Sequence, residues 1–301
     1  MAQSDGASQD ADDDPNFKHP KCYVNRYGGC SRKISGEHYV THSIIKLYSF
    51  GDDDVKVKHD TGRGIREFAS PKKFVSNILC RNHNTALHNA DDAALKVAKF
   101  LFNISTTYKC GTGEWGDPDQ ITVSGDDFQV WVLKLLCNHV MGKAFPHERD
   151  ESVNPFPPEC VDLLLGRAMW PSEWGMCVSG DSTNDGLMLN DFSGVEDVTE
   201  SVSFQPFIFG DHIPGRGGEV AGGIVNLNGV GFGLTVVNVG RSNPAKFNVP
   251  ENPLRGSVPR PKSIAWKLGG VEKRINFTWS DIWKHEPVTY TIEVLPQNVE
   301  T

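Results

Sequence analysis

Residues 77–84 read Asn-Ile-Leu-Cys-Arg-Asn-His-Asn, and this stretch predicts the fold of the N-terminal third of the chain. The apolar pair at 78 and 79 is typical of a strand, and a helical pattern begins at Arg81. Two residues separate Cys80 from His83, which is the spacing of a close pair of zinc ligands. The stretch therefore predicts a strand that leads into a metal-binding helix.

Two cysteines upstream complete a set of four zinc ligands. Cys22 and Cys30 have seven residues between them, a wider gap than the usual two to four. The glycines at 28 and 29 would let this loop fold back tightly. Because four protein ligands leave no open position, we expect the Zn²⁺ to be structural. The alternative interpretation is three unrelated cysteines and a surface histidine.

The adjacent residues Glu37 and His38 suggest a second site. A carboxylate can hold a divalent cation, and an imidazole can accept a proton from water. In a regular strand these two side chains would point to opposite faces, so one shared site requires a bend, which Gly36 could provide. Such a dipeptide is also common as an ordinary surface pair.

The predicted helix from Arg81 to about Asn103 adds further candidates. Asn84 and His88 are four residues apart, so we expect both on one helix face. A carboxamide oxygen suits a hard cation such as Mg²⁺, whereas an imidazole suits transition metals better. Asn77, just before the predicted strand at Ile78 and Leu79, could brace the loop that carries His38.

The order of these motifs resembles the HNH endonucleases of the ββα-metal (His-Me finger) superfamily, over residues 17 to about 100. The resemblance implies a metal-dependent hydrolase of DNA phosphodiester bonds. His38 would be the general base and Asn77 the residue that orients its loop. Glu37, Asn84 and His88 would bind Mg²⁺ or another divalent ion, and Cys22, Cys30, Cys80 and His83 would bind Zn²⁺.

The charge distribution is consistent with a nucleic-acid partner, although the net charge is -8. Residues 1–16 carry five Asp and no Lys or Arg, whereas residues 17–82 carry thirteen Lys or Arg against six Asp or Glu. This basic excess lies on the segment with the candidate site, as phosphate binding requires. A solvated surface with chance clustering is the alternative. The residues predicted to contact nucleic acid are Arg32, Lys33, Arg63, Arg66, Lys72, Lys73 and Arg81.

The pattern along the chain predicts an α+β protein in four parts. We expect a disordered acidic tail (1–16), an HNH-like module (17–105), a linker with helices (106–169) and an antiparallel β-rich domain (170–301). Residues 39–50 have strand-like and mixed character, and Gly51–Ser70 is loop-rich. Ser124 is the predicted cap of a helix that stops near Gly142.

No apolar run is long enough to span a bilayer, and no signal pattern precedes the module. We therefore expect a cytoplasmic protein with reduced cysteines and no membrane partner. Restriction or antiviral defence in a bacterium would suit this architecture. The C-terminal domain would then recognise the target, or would regulate the nuclease when it binds a small molecule or a protein. Because a lone site nicks one strand, cutting both strands would require a homodimer.

Three alternatives to a constitutive nuclease remain open at this stage. The first is a non-catalytic, zinc-dependent protein that binds nucleic acid. The second is an effector nuclease that is switched on by a small-molecule signal. The third is an interaction protein in which zinc only stabilises the fold.

Overall fold

The structure is a computed structural model. It describes residues 14–48, 57–60, 66–69, 75–110, 116–142, 159–179, 202–209, 219–236 and 258–291. Most of the predicted acidic tail, residues 1–13, lies outside these ranges.

Within the described ranges the protein combines helices with small sheets, which makes it a mixed α+β fold. The helices are α1 (His42–Tyr48), α2 (Arg81–Ala86), α3 (His88–Cys110), α4 (Gly125–Met141) and α5 (Glu159–Leu164). The strands are β1 (Ile34–His38), β2 (Val57–Asp60), β3 (Arg66–Ala69), β4 (Val75–Cys80), β5 (Asp119–Ser124), β6 (Gly175–Ser179), β7 (Val202–Phe209), β8 (Glu219–Leu227), β9 (Val230–Thr235), β10 (Arg260–Leu268), β11 (Val271–Thr278) and β12 (His285–Thr291).

The N-terminal part is built on the antiparallel pair of β1 and β4, and α2 follows β4 without a loop. A bulge interrupts the pairing between Ser35 and Glu37, at the glycine predicted to bend the chain. The strand-like character predicted for residues 39–50 is wrong for α1. Ile44, Leu47 and Tyr48 share one face of this helix, and that spacing outweighs the β propensity of the isoleucines.

The helices α3 and α4 form the centre of the core. The predicted cap of α4 is confirmed, because Ser124 Oγ accepts a hydrogen bond of 3.1 Å from the backbone N–H of Asp127. The helix also ends next to Gly142, as predicted. Thirteen of its seventeen residues are buried, so α4 is covered by neighbouring elements along most of its length.

The C-terminal strands form two four-stranded sheets, with strand orders β6-β9-β8-β7 and β12-β10-β11-β5. The first sheet is antiparallel, as predicted. The second is mixed, since β12 and β5 pair in parallel with β10 and β11. Strand β5 comes from the segment predicted as a linker, so this segment contributes to the C-terminal sheet as well as connecting to it.

A buried arginine ties the start of the second sheet to the first. The Arg260 guanidinium is fully buried, donates a hydrogen bond of 2.6 Å to the carbonyl of Trp174 and lies 3.3 Å from a carboxylate oxygen of Asp281. Trp174 directly precedes β6. No helix in the described part of the chain is both long and apolar enough to cross a membrane.

Candidate functional site

The four predicted zinc ligands lie together in the structure. The ligand atoms of Cys22, Cys30, Cys80 and His83 are all within 4.8 Å of one another, and all four residues are buried. Nδ1 of His83 lies 3.4, 3.6 and 3.3 Å from the three sulfur atoms in chain order. Tetrahedral zinc with ordinary bond lengths gives a nitrogen–sulfur edge of about 3.6 Å. The cluster therefore has the ligands and the dimensions to hold a metal such as zinc.

Electrostatics at the cluster also suit a metal. Burial raises the pKa of Cys22 to about 12, so this thiol is protonated at neutral pH unless a cation stabilises the thiolate. Burial, followed by the positive charge of Arg167, lowers the pKa of His83. The imidazole is therefore neutral, which is the form that binds a metal. Metal binding should release protons from the thiols.

Local sequence explains why the cluster forms. Cys80 ends β4 and caps α2, where its sulfur accepts a hydrogen bond of 3.5 Å from the backbone N–H of His83. The wide loop between Cys22 and Cys30 turns back at Gly28 and Gly29, whose φ angles are 80° and 71°. The predicted role of these glycines in the turn is confirmed.

We expect Gly28→Ala to destabilise the protein more than Gly29→Ala. Both substitutions place a side chain in the left-handed region, at a cost of about 1 kcal/mol each. A Cβ at position 28 would in addition lie 2.5 Å from the carbonyl oxygen of Pro15, whereas nothing lies within 4 Å of one at position 29. Thermal unfolding of the zinc-loaded variants measures the difference, and equal melting temperatures would contradict it.

A second cluster, the Lys134 cluster, consists of Glu37, Asn84, Asp91 and Lys134. Nζ of Lys134 lies 2.9 Å from Oε1 of Glu37, 2.8 Å from Oδ2 of Asp91 and 3.2 Å from Oδ1 of Asn84. The lysine side chain is only 2% exposed. Glu37 and Asn84 were both predicted to bind the catalytic cation. In the structure both contact one cation, which is the ammonium of Lys134.

Neighbouring polar groups orient the Lys134 cluster. Oδ1 of Asp91 accepts a hydrogen bond of 2.8 Å from Thr41 Oγ1, which itself accepts one of 2.9 Å from the indole of Trp131. The carboxamide of Asn84 donates to Ser35 Oγ at 3.0 Å. Burial raises the pKa of Glu37, although Lys134 acts in the opposite direction.

His38 lies next to a second imidazole. Its ring centroid is 4.5 Å from that of His42, and burial followed by the charge of His42 lowers the pKa of His38. Nδ1 of His42 is buried and forms no hydrogen bond among the described residues. The carboxylate of Glu37, the preceding residue of β1, contacts Lys134 instead of these two imidazoles.

His88 and Asn77 lie at the surface and take no part in the contacts described for the Lys134 cluster or for His38. His88 is 70% exposed, and its Nε2 lies 3.3 Å from a carboxylate oxygen of Asp92. The helix predicted from Arg81 is interrupted at Leu87, so Asn84 lies in α2 with its carboxamide at Lys134, whereas His88 begins α3 at the surface. Asn77 is exposed on β4, next to the residue that faces Glu37.

No family model, curated protein or solved structure matches this chain. The chemistry of the site therefore has to be inferred from its own residues. Within the described part of the chain, the cysteine and histidine cluster is the one group of three or more His, Cys, Asp or Glu residues that could hold a metal.

The structure describes the side chains of three of the seven residues predicted to contact nucleic acid. Arg32, Lys33 and Arg81 are exposed, and the backbone N–H of Arg81 donates to the carbonyl of Lys33 at 2.9 Å. The guanidinium of Arg32 lies 5.2 Å from the ring centroid of Phe17. The side chains of the other four predicted residues lie outside the described residues: Arg63, Arg66, Lys72 and Lys73.

Sequence reasoning missed Asp91 and Lys134. Asp91 is seven residues after Asn84 and could have been read as part of the same helical surface. Lys134 is the only Lys, Arg, Asp or Glu between Asp127 and the end of α4, and its neighbours are valines and leucines. A single charge in such an apolar helix indicates a buried ion pair, because lysine is almost never buried without a partner.

Proposed function

We propose that the N-terminal module is a zinc-supported HNH-type endonuclease with a ββα-metal core that hydrolyses phosphodiester bonds of DNA. The observation that carries this proposal is the convergence of the Glu37 carboxylate and the Asn84 carboxamide on one cationic group. These are hard oxygen donors from β1 and α2, and they suit Mg²⁺ or Mn²⁺. DNA as the substrate follows from the resemblance to HNH endonucleases.

In the proposed mechanism His38 accepts the proton of the attacking water. Its lowered pKa keeps the imidazole neutral near pH 7, as a general base requires. Glu37 and Asn84 would hold the divalent ion, which when bound stabilises charge on the phosphate and on the leaving oxygen. Arg32, Lys33 and Arg81 would bind the DNA backbone on the exposed surface beside the zinc cluster.

We assign recognition or regulation to the C-terminal sheets, in a bacterial restriction or antiviral system. The helix α4 supports this assignment because it contacts both parts of the protein. Gln129 accepts a hydrogen bond of 2.8 Å from the backbone N–H of Met176 in β6, while Lys134 contacts the candidate site. A ligand bound to these sheets could therefore act on the site through α4.

A second candidate function is zinc-dependent binding of nucleic acid without catalysis. The observation that favours it is the position of Lys134, whose ammonium already neutralises Glu37 and contacts Asn84. A protein of this kind would keep the zinc cluster and the basic surface but would need no divalent ion.

Cleavage of supercoiled plasmid separates the two functions. We expect the zinc-loaded protein to nick plasmid with about 5 mM Mg²⁺ or Mn²⁺ and to leave it intact when neither ion is added. Lys33→Glu combined with Arg81→Glu should weaken binding and cleavage together, and the deficit relative to the parent should shrink at higher salt, because the variant has fewer phosphate contacts to lose. Binding that is independent of divalent ions, with intact plasmid under all conditions, would contradict the nuclease proposal and support the binding function.

A further inference from the structure

The ammonium of Lys134 is held as a metal ion would be held. Its three oxygen contacts, at 2.8–3.2 Å, come from side chains on β1, α2 and α3. Two of the three oxygens belong to the residues that the resemblance to HNH endonucleases implies as cation ligands. The third comes from Asp91, a carboxylate of the first turn of α3.

The ammonium of Lys134 is the counter-ion of two carboxylates, those of Glu37 and Asp91. Two carboxylates face one ammonium, and the side chains of Glu37 and Asp91 are only 9% and 18% exposed. Without a cation, two partly desolvated negative charges would stand next to each other, which is strongly unfavourable. A cation at this position therefore allows both carboxylates to stay ionised in the folded protein.

We infer that Lys134 is a positioning residue of the proposed centre: its ammonium is the resident cation, and a divalent ion is its alternative at the same oxygens. This inference rests on the proposed function, because the exchange of cations affects catalysis only if the module is a metal-dependent nuclease. Because one position cannot hold both cations, binding of the divalent ion requires Lys134 to withdraw.

The packing of α4 determines where Lys134 lies. Phe128 in the first turn of this helix packs edge-on against Phe232 of β9, with ring centroids 4.9 Å apart, and stacks on Phe277 of β11 at 6.0 Å. Trp131 donates to Thr41 at 2.9 Å. These contacts hold α4, and with it Lys134, between the C-terminal sheets and the N-terminal segment.

Replacement of Lys134 by methionine tests the inference in the zinc-loaded protein. Methionine keeps the long apolar stem and removes the charge. We expect the melting temperature to fall by about 10 °C, because two carboxylates lose their counter-ion. Adding about 5 mM Mn²⁺ should raise it again by about 5 °C or more, while the parent protein should respond much less, because its ammonium competes for the same oxygens.

A matched control removes the negative charges as well. In the triple variant with Lys134→Met, Glu37→Gln and Asp91→Asn, no charge needs compensation, so Mn²⁺ should have no effect on the melting temperature. If Lys134→Met gains nothing from Mn²⁺, or stays unfolded in its presence, the divalent ion cannot replace the ammonium and the inference fails. An equal response of the parent protein would also overturn it.

The two proposals can fail separately. Rescue of Lys134→Met by Mn²⁺ without any plasmid cleavage would leave the cation exchange standing and contradict the nuclease. Plasmid cleavage by the parent, together with a Lys134→Met variant that ignores Mn²⁺, would support the nuclease and place its divalent ion elsewhere.

Discussion

Replacing His38 by alanine should lower the rate of plasmid cleavage by about 10²- to 10⁴-fold, the usual contribution of a general base. The half-buried imidazole contacts His42, and burial lowers its pKa so that it can accept a proton at neutral pH. The backbone of His38 pairs with Val75 and accepts a hydrogen bond from Asn138, and neither contact needs the imidazole. The variant should therefore fold, bind zinc and bind DNA like the parent.

His19→Ala is a suitable control for this experiment, because it also removes a histidine of the N-terminal segment. The ring of His19 accepts a hydrogen bond of 3.2 Å from the backbone N–H of Lys21 and lies against Phe17, and alanine keeps the backbone of His19 that contacts Cys22 and Cys30. Cleavage by this variant should remain within about twofold of the parent rate, since surface changes rarely alter stability by more than 0.5 kcal/mol. Equal cleavage by His38→Ala and the parent would refute the assigned base.

Loss of zinc should have the largest effect on stability. Structural zinc contributes about 10–16 kcal/mol of binding free energy in small zinc domains, which is as much as most domains have in total. The ligands come from the segment before β1 and from the junction of β4 and α2, so the metal joins parts of the chain that are 61 positions apart. We expect Cys80→Ala, or removal of zinc by a strong chelator, to unfold the N-terminal module.

Metal analysis with thermal unfolding checks this expectation. The parent protein should contain one zinc per chain, and Cys80→Ala should contain none and lose its cooperative transition at the parent's melting temperature. Cys177→Ala is the matched control, because Cys177 lies on β6 and belongs to no metal cluster within the described residues. A Cys80→Ala variant with normal zinc content and stability would rule out the proposed role of the cluster.

The cluster of cysteines and histidine could be predicted because its residue types and local spacing are visible in the sequence. The shared position of Glu37 and Asn84 could be predicted only through the resemblance to HNH endonucleases. His88 was placed with Asn84 by assuming one continuous helix, and the interruption at Leu87 separates them. Lys134 could not be placed, because its partners are 43 to 97 positions away and only tertiary packing brings α4 to them.

The pairing of strands in the sheets also could not be predicted from the sequence. Alternating apolar residues predicted a β-rich C-terminal part, and strands β6 to β12 lie there, since a buried sheet face imposes this pattern. The pattern does not specify which strands pair. Strand β5 lies before α4 in the chain, and nothing local indicates that its neighbour is β11.

The parallel pairing of β5 with β11 has a consequence for synthesis on the ribosome. Gln120 of β5 and Asn276 of β11 are 156 positions apart. At ordinary translation rates β5 and the apolar start of α4 emerge roughly 8 to 30 s before their partner strand exists. During that interval Val123 and Phe128, both buried in the finished protein, lack the strand β11 that covers part of their surface. The nascent chain should therefore depend on chaperones until its last strands are made.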